Sequence, residues 1–175
     1  MKIFSNDPDS FKTVYGQSFP IIVRVAYHIT LDIEVAEDIC QEAFIRFYNR
    51  SISFPSEDQA RYWLIRVTKN LAFNYYKRRK REKNALEKYS HENTQHSTNG
   101  EEDVMRSETE KIIHNALDKL PPKLRSVLVL KEYGNLSYRE IGRILHITEN
   151  NVKVRVHRAR IILETLLKEE EIHVL

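Results

Sequence analysis

The sequence predicts an all-α fold divided into two small helical domains. Two observations argue for helices: glycine and proline are scarce, at 4 and 5 of 175 residues, and the apolar residues recur mostly at intervals of three and four. A third argues for the division. The stretch Ser90-His91-Glu92-Asn93-Thr94-Gln95-His96-Ser97-Thr98-Asn99-Gly100 contains no apolar residue, so it cannot bury enough surface to offset the entropy of ordering. A flexible, acidic and polar linker is therefore expected over 84–106, between domains at 1–83 and 107–175. Each domain is small, yet feasible as a helical bundle, with four helices in the second.

In the first half, Asp7-Pro8 supplies an N-cap and a first-turn proline for a helix over Asp9–Ser18. Pro20 is expected to divide it from a second helix, Ile21–Ile29. A third should follow Asp32 and run to about Asn49. Ser51-Ile52-Ser53-Phe54-Pro55 reads as a loop, and Ser56 with Gln59 has capping-box spacing for a long fourth helix that reaches a Lys/Arg run. Along it Leu64, Val67, Leu71 and Tyr75 recur at core spacing, while Arg66, Asn70, Asn74 and Lys77 form a polar stripe. Any bundle helix on a protein surface has a polar side, so the stripe alone decides nothing.

In the second half, Ser107 and Glu110 repeat the capping-box spacing for a helix ending near Leu120, before Pro121-Pro122. The next helix passes through Leu124, Val127, Leu128 and Leu130 to Tyr133 and stops at Gly134-Asn135. Ser137-Tyr138-Arg139-Glu140 is a third capping box, opening a short helix to about Leu145. His146-Ile147-Thr148 then turns into a last helix, with Thr148 as its N-cap.

Residues 137–160 thus have the layout of a helix-turn-helix. On its second helix Val152, Val156 and Ala159 can pack inward, leaving Asn150, Lys153, His157 and Arg160 to project together, with Arg155 and Arg158 on the flanks. Such a helix fits the major groove, where amides and cations bond base edges and flanking cations bind phosphates. Other helical hairpins share this spacing.

Charge is distributed to match. The net charge is only +3, but Arg61, Arg66, Lys69, Lys77, Arg78, Arg79, Lys80, Arg81 and Lys83 stand against the single acid Glu82. An acidic stretch follows, with Glu92, Glu101, Glu102, Asp103, Glu108 and Glu110, before the chain turns basic again around Lys153. Two basic patches suggest two polyanion contacts, although solvated helix faces would look the same. No catalytic reading survives. The 7 histidines show no paired metal-ligand spacing, no glycine-rich phosphate loop is present, and Cys40 on an amphipathic helix reads as a small buried apolar residue. No cofactor is expected. One cysteine fits a reducing compartment, and no apolar run suits a signal peptide or membrane span, so a cytoplasmic protein is expected.

Several segments read together resemble a known family. Leu120-Pro121-Pro122, Leu136-Ser137-Tyr138-Arg139-Glu140-Ile141-Gly142 and Val152-Lys153-Val154-Arg155-Val156-His157-Arg158-Ala159-Arg160 are similar to the promoter-reading domain of extracytoplasmic-function sigma factors. Ala36-Glu37-Asp38-Ile39-Cys40-Gln41-Glu42-Ala43-Phe44 and Tyr62-Trp63-Leu64-Ile65-Arg66-Val67-Thr68-Lys69-Asn70-Leu71-Ala72 resemble the family's first domain, in the same order.

The resemblance implies a transcription-initiation factor that binds bacterial RNA polymerase core and promoter DNA, with an anti-sigma factor as regulator and no membrane insertion. Asp38, Gln41, Glu42 and Phe44 would form the polymerase-docking surface, Phe44 serving either as apolar anchor or as core. Asn70 would help to read the opened −10 strand, with Tyr62 and Trp63 as its surround, although Trp63 reads equally as a core tryptophan. Arg66 and Asn74 share the stripe with Asn70, and Lys77, Arg78 and Arg79 would bind phosphates. Lys153, His157 and Arg158 would contact the −35 element, with Asn150, Arg155 and Arg160 on the same helix and Lys131 as a backbone contact. The sequence departs from the family pattern at His146, where the turn often has glycine, at Gly142, where alanine is usual, and at Val154, where a polar residue is common.

Overall fold

The structure, a computed structural model, describes residues 2–90 and 108–174, with side chains for 2–87 and 109–169. Nine elements follow in order: β1 (Ile3–Phe4), α1 (Pro8–Thr30), α2 (Ile33–Asn49), β2 (Ser53–Phe54), α3 (Glu57–Ser90), α4 (Glu108–Lys119), α5 (Pro122–Glu132), α6 (Tyr138–Leu145) and α7 (Glu149–Val174). The all-α expectation holds, save for a two-residue ladder.

Local chemistry sets most helix starts. The Asp7 carboxylate accepts the Ser10 amide at 2.9 Å and Asp32 accepts that of Val35 at 3.1 Å, each satisfying a first-turn N–H that the helix leaves without a partner. Ser56 accepts the Gln59 amide at 3.3 Å. The other cap expected at a helix start, Ser107, lies outside the described residues.

Pro20 does not divide the first helix. α1 runs through it as a single 23-residue element. A proline inside a helix removes one hydrogen bond and crowds the preceding turn, at a cost of about 3 kcal/mol. Pro20 is exposed, so the carbonyl that loses its partner meets water. The buried stripe of Val14, Ser18, Ile22, Val25, Ala26 and Ile29 continues on both sides of it. Packing against α2 and α3 outweighs the local penalty.

The loop expected at 51–55 contains β2, which pairs antiparallel with β1 in the register Ile3 to Phe54 and Phe4 to Ser53. The Ser5 hydroxyl accepts the Ile52 amide at 3.0 Å and the Ser5 amide bonds the Ile52 carbonyl at 3.0 Å. Two-residue strands have no alternation to read, which is why the pattern hid them. At its other end α3 continues past Lys83 to Ser90, so residues 84–90 of the expected linker are helical. The rest of that segment, 91–106, lies outside the described residues.

α1, α2 and α3 pack together around an aromatic centre in which Phe47 stands 5.3 Å from Phe54 and 5.9 Å from Trp63 between ring centroids. α5, α6 and α7 pack around Val127, Leu130, Ile141, Ile144, Val152 and Val156, with α4 against α7. The two assemblies touch where α5 meets α1, and one apolar core runs through both.

Candidate nucleic-acid interface

The second half builds its helix-turn-helix from caps outward. The Ser137 hydroxyl accepts the Glu140 amide at 3.2 Å while the Glu140 carboxylate accepts the Ser137 amide at 2.8 Å, a complete capping box at the start of α6. α6 ends on His146, whose backbone is left-handed at φ 56° and whose amide bonds the Gly142 carbonyl. The turn then folds back so closely that a Cβ on Gly142 would meet the Ile147 carbonyl oxygen at 2.7 Å. Two of the three departures from the family pattern, Gly142 and His146, fall on this corner. Histidine takes the left-handed position at a modest steric cost, and glycine gives the turn room to close. Thr148 accepts the Asn151 amide at 3.2 Å and caps α7.

α7 buries Val152, Val156 and Ala159 and leaves Asn150, Lys153, His157 and Arg158 exposed. Lys153 is ion-paired to Glu149 at 3.0 Å and stands 5.9 Å from the Tyr138 ring centre. Lys131 approaches the same ring at 4.8 Å and donates to the Leu136 carbonyl at 3.4 Å. One tyrosine ring thus lies within reach of two cations. Arg155 is half-buried. Arg160 is exposed with the outward group, as expected, and also clamps Glu132 of α5 with contacts of 2.6 and 3.2 Å; those hydrogen bonds hold its guanidinium above its usual pKa. It ties α7 to α5. Around the turn, Arg139, Arg143 and Asn151 line an open cavity of about 720 Å³ with His146 and Thr148. From the sequence, Arg139, Arg143 and Asn151 carried no expected site role, although Arg139 and Arg143 stand one turn apart on a helix that buries Ile141, Gly142 and Ile144.

In the first half, α3 exposes Arg66, Asn70, Asn74 and Lys77, which fall on one helical face at intervals of four, four and three. Among the described residues no side-chain hydrogen bond or ion pair engages any of the four. Tyr62 is half-buried. Trp63 is 7% exposed and packs on Phe47 and Phe54, so the core alternative describes it. One edge still reaches a groove of about 420 Å³ lined by Glu42, Ile45, Arg46, Asn49, Arg50, Trp63 and Val67. The basic run is partly engaged: Arg79 lies 3.4 Å from Asp32, Arg78 lies 3.7 Å from Glu82, and Arg78 stands 5.7 Å from the Tyr75 ring centre. Burial lowers the Lys69 pKa, and the positive charge of Lys77 lowers it further.

On α2, Asp38, Gln41 and Glu42 are exposed together, with Glu42 bonded to Arg46 at 2.7 Å. Phe44 is 3% exposed, its ring 4.7 Å from Tyr15 and 5.9 Å from Phe11. It supports this surface from beneath and cannot anchor a partner directly. The exposed apolar residue on the Asp38–Glu42 stripe is Ile45, 55% exposed. It continues the run of 38, 41 and 42 at helical spacing, one position beyond Phe44, the larger apolar residue that the sequence offers for the role.

Cys40 is buried, and burial together with the Glu37 charge pushes its pKa up to about 12. It is not a reactive thiol. Among the described residues no group of three or more His, Cys, Asp or Glu is placed to hold a metal ion, and no helix is long and apolar enough to cross a membrane.

A capped helix-turn-helix with an exposed Asn/Lys/His/Arg face, joined to a second helical unit with its own Arg/Asn stripe, defines a helical DNA-binding protein. The sequence matches Sigma-70 region 2 over residues 14–82 and Sigma-70, region 4 over residues 110–163. It is 32% identical over 180 residues to the ECF RNA polymerase sigma factor SigW of Bacillus subtilis (strain 168), covering 96% of this chain and 94% of that protein. To the RNA polymerase sigma factor YlaC of the same organism it is 31% identical over 168 residues, covering 93% and 96%. Its fold is similar to the sigma factor RpoE crystallised with the anti-sigma factor NepR from Bartonella quintana, with a TM-score of 0.67 and 23% identity over 91% of this chain and 98% of that one. The chain belongs to the extracytoplasmic-function RNA polymerase sigma factors of the sigma-70 family. It binds RNA polymerase core and directs it to promoters in transcription initiation.

Proposed function

We propose that this sigma factor divides its work among three faces. Asn150, Lys153, His157 and Arg158 of α7 read duplex DNA at the −35 element, with Arg155 at the flank and Lys131 beside them. Asn70 captures the melted −10 strand, with Arg66 and Asn74 along the same face, Tyr62 beside it and the edge of Trp63 closing the groove below. Lys77, Arg78 and Arg79 hold phosphates and give affinity without sequence choice. Asp38, Gln41 and Glu42 meet the polymerase, and Ile45 takes the anchoring part first given to Phe44. The functional domains are 1–83 and 107–175, with 84–106 joining them.

One observation carries the reading: on α3 and on α7 alike, amides and cations stand exposed while the apolar residues behind them are buried. Reading a base edge needs an amide or cation held firmly from behind. The protein performs no chemistry of its own, works in the cytoplasm where the polymerase is, and is restrained by an anti-sigma factor covering its polymerase-facing surface. In support of that last step, one fold neighbour was crystallised with an anti-sigma factor.

Run-off transcription with purified bacterial core polymerase on a genomic promoter library tests the reading. The expected result is transcripts that depend on this protein and share −35 and −10 words. Stable core binding without transcripts would make it an inhibitory relative, and no core binding would make it an operator-binding regulator.

A further inference from the structure

The side of α7 that carries Asn150 and His157 also carries an exposed side chain that can neither donate nor accept a hydrogen bond. Val154 is 47% exposed. At about 100° per residue it points about 165° from the mean direction of the buried Val152, Val156 and Ala159, almost straight outward. Asn150, His157 and Arg158, all exposed, stand one turn before and after it on the same side. The Lys153 ammonium does not cover it. That charge is paired to Glu149 at 3.0 Å and lies 5.9 Å from the Tyr138 ring centre, and Glu149 stands about 140° round the helix from Val154.

The fold gains little from a valine here. A β-branched residue is a poor helix former at an exposed position, and this one faces away from the core. The other exposed apolar residue on this side is Ile161, at 51%. It stands about 10.5 Å further along the axis, with His157 and Arg158 between them. The two therefore do not join into the continuous apolar stripe that a partner helix would bury. A lone apolar group among an amide, an imidazole and cations suits a different ligand. In the major groove the apolar group that the bases present is the C5 methyl of thymine. Val154 lies in the second turn of α7, within the N-terminal stretch that a helix-turn-helix brings to base edges. Ile161 lies two turns beyond.

We propose that Val154 reads the C5 methyl of one thymine in the −35 element. This rests on the function proposed above for α7 and adds the base that one position selects. The isopropyl group packs on the methyl, and both leave water. Opposite another base it would face an amino group or a ring acceptor, strip it of water and leave it unpaired. Selection therefore has two sources, contact with thymine and lost hydration at its rivals. Lys153, His157 and Arg158 choose among hydrogen-bonding edges, a choice that Val154 cannot make.

Holoenzyme reconstituted from core polymerase and the full chain tests this on the promoter words that run-off transcription yields. Each thymine of the −35 word, on either strand, is replaced in turn by deoxyuridine, which keeps the base pair and deletes only the methyl. At one position the wild type should lose about fourfold in competition binding, the worth of one buried methyl group. Val154→Ala should bind the thymine and deoxyuridine promoters equally, and Ile161→Ala should keep the wild-type ratio. Val154→Thr, which exchanges one methyl for a hydroxyl, should fall between them and decides alone if the alanine variant loses its helical circular-dichroism signal. A wild-type ratio of one at every thymine, or a −35 word without thymine, overturns the proposal. So does a ratio that survives Val154→Ala and Val154→Thr, which would place the effect in the DNA. In each of these cases −35 reading by α7 still stands if base-pair changes in the word weaken binding. Base-pair changes without effect would instead overturn the function proposed for α7, and this proposal with it.

Discussion

The polar faces of α3 and α7 are built to different standards of order. On α7 Lys153 is held by Glu149 and Tyr138, and the helix itself by the Arg160–Glu132 clamp. On α3 the Arg66, Asn70, Asn74 and Lys77 side chains have no such restraint among the described residues. A duplex has a fixed shape and rewards side chains set in advance. On the function proposed for α3, a melted strand brings its own flexibility, and the rigid part of its site would be the packed wall of Phe47, Phe54 and Trp63. At Lys153 the order sits in the side chain and its partners; along the α3 stripe it sits behind the side chains.

The largest effect that can break this comparison comes from Trp63. As part of the wall, Trp63→Ala should cost about 3–5 kcal/mol of stability in chemical denaturation. A variant of normal stability that fails only in open-complex formation would make Trp63 a contact instead. Gly142→Ala should come next, at about 1–3 kcal/mol in the same assay, because the new methyl has to displace the Ile147 carbonyl; an unchanged midpoint would show that the turn yields freely. Lys153→Ala should weaken −35 discrimination by about 1–3 kcal/mol in competition binding against altered sites. Equal weakening on every sequence would make Lys153 a phosphate contact. Arg160→Ala, which removes a half-exposed ion pair, should cost no more than about 1 kcal/mol in denaturation. A loss well beyond that would mean the clamp organises the whole face.

Acidity offers a test at the contact between the halves. Burial, then the charges of His114 and Arg24, pushes the His28 pKa down to about 4, against about 6.5 for a histidine in water. The folded chain thus binds fewer protons at His28 than the unfolded one. The stability that His28 contributes should be at full strength above about pH 6.5 and be lost as the pH falls toward 4. A denaturation midpoint unchanged between about pH 7 and pH 4.5 would contradict this, and His28→Gln should flatten the dependence.

Much of the fold was legible because the helices announce themselves locally. Asp7, Asp32 and Ser137 each combine a side-chain acceptor with the apolar run that follows, and each caps a helix in the structure. The helix-turn-helix was legible for the same reason. Pro20 misled because a local penalty was weighed without the buried stripe that crosses it. β1 and β2 were invisible because two residues carry no period. In the candidate site, spacing found the stripes but not the partners. Nothing in the sequence joins Arg160 to Glu132, since the pair meets only after helices distant in sequence have packed. Phe44 and Ile45 differ by a single position on α2, a rotation that apolar character alone cannot assign.

The β1–β2 ladder also bears on the order in which the chain assembles. Ser5 and Ile52 are 47 residues apart, whereas the turns of α1 and α2 form between neighbours. Closing so long a loop for two strand residues and two serine hydrogen bonds gains little until the helices already hold its ends together. The ladder is therefore a late event, sealed onto a nucleus made by α1, α2 and α3. Substitutions at Ser5 should speed unfolding while leaving the folding rate nearly untouched.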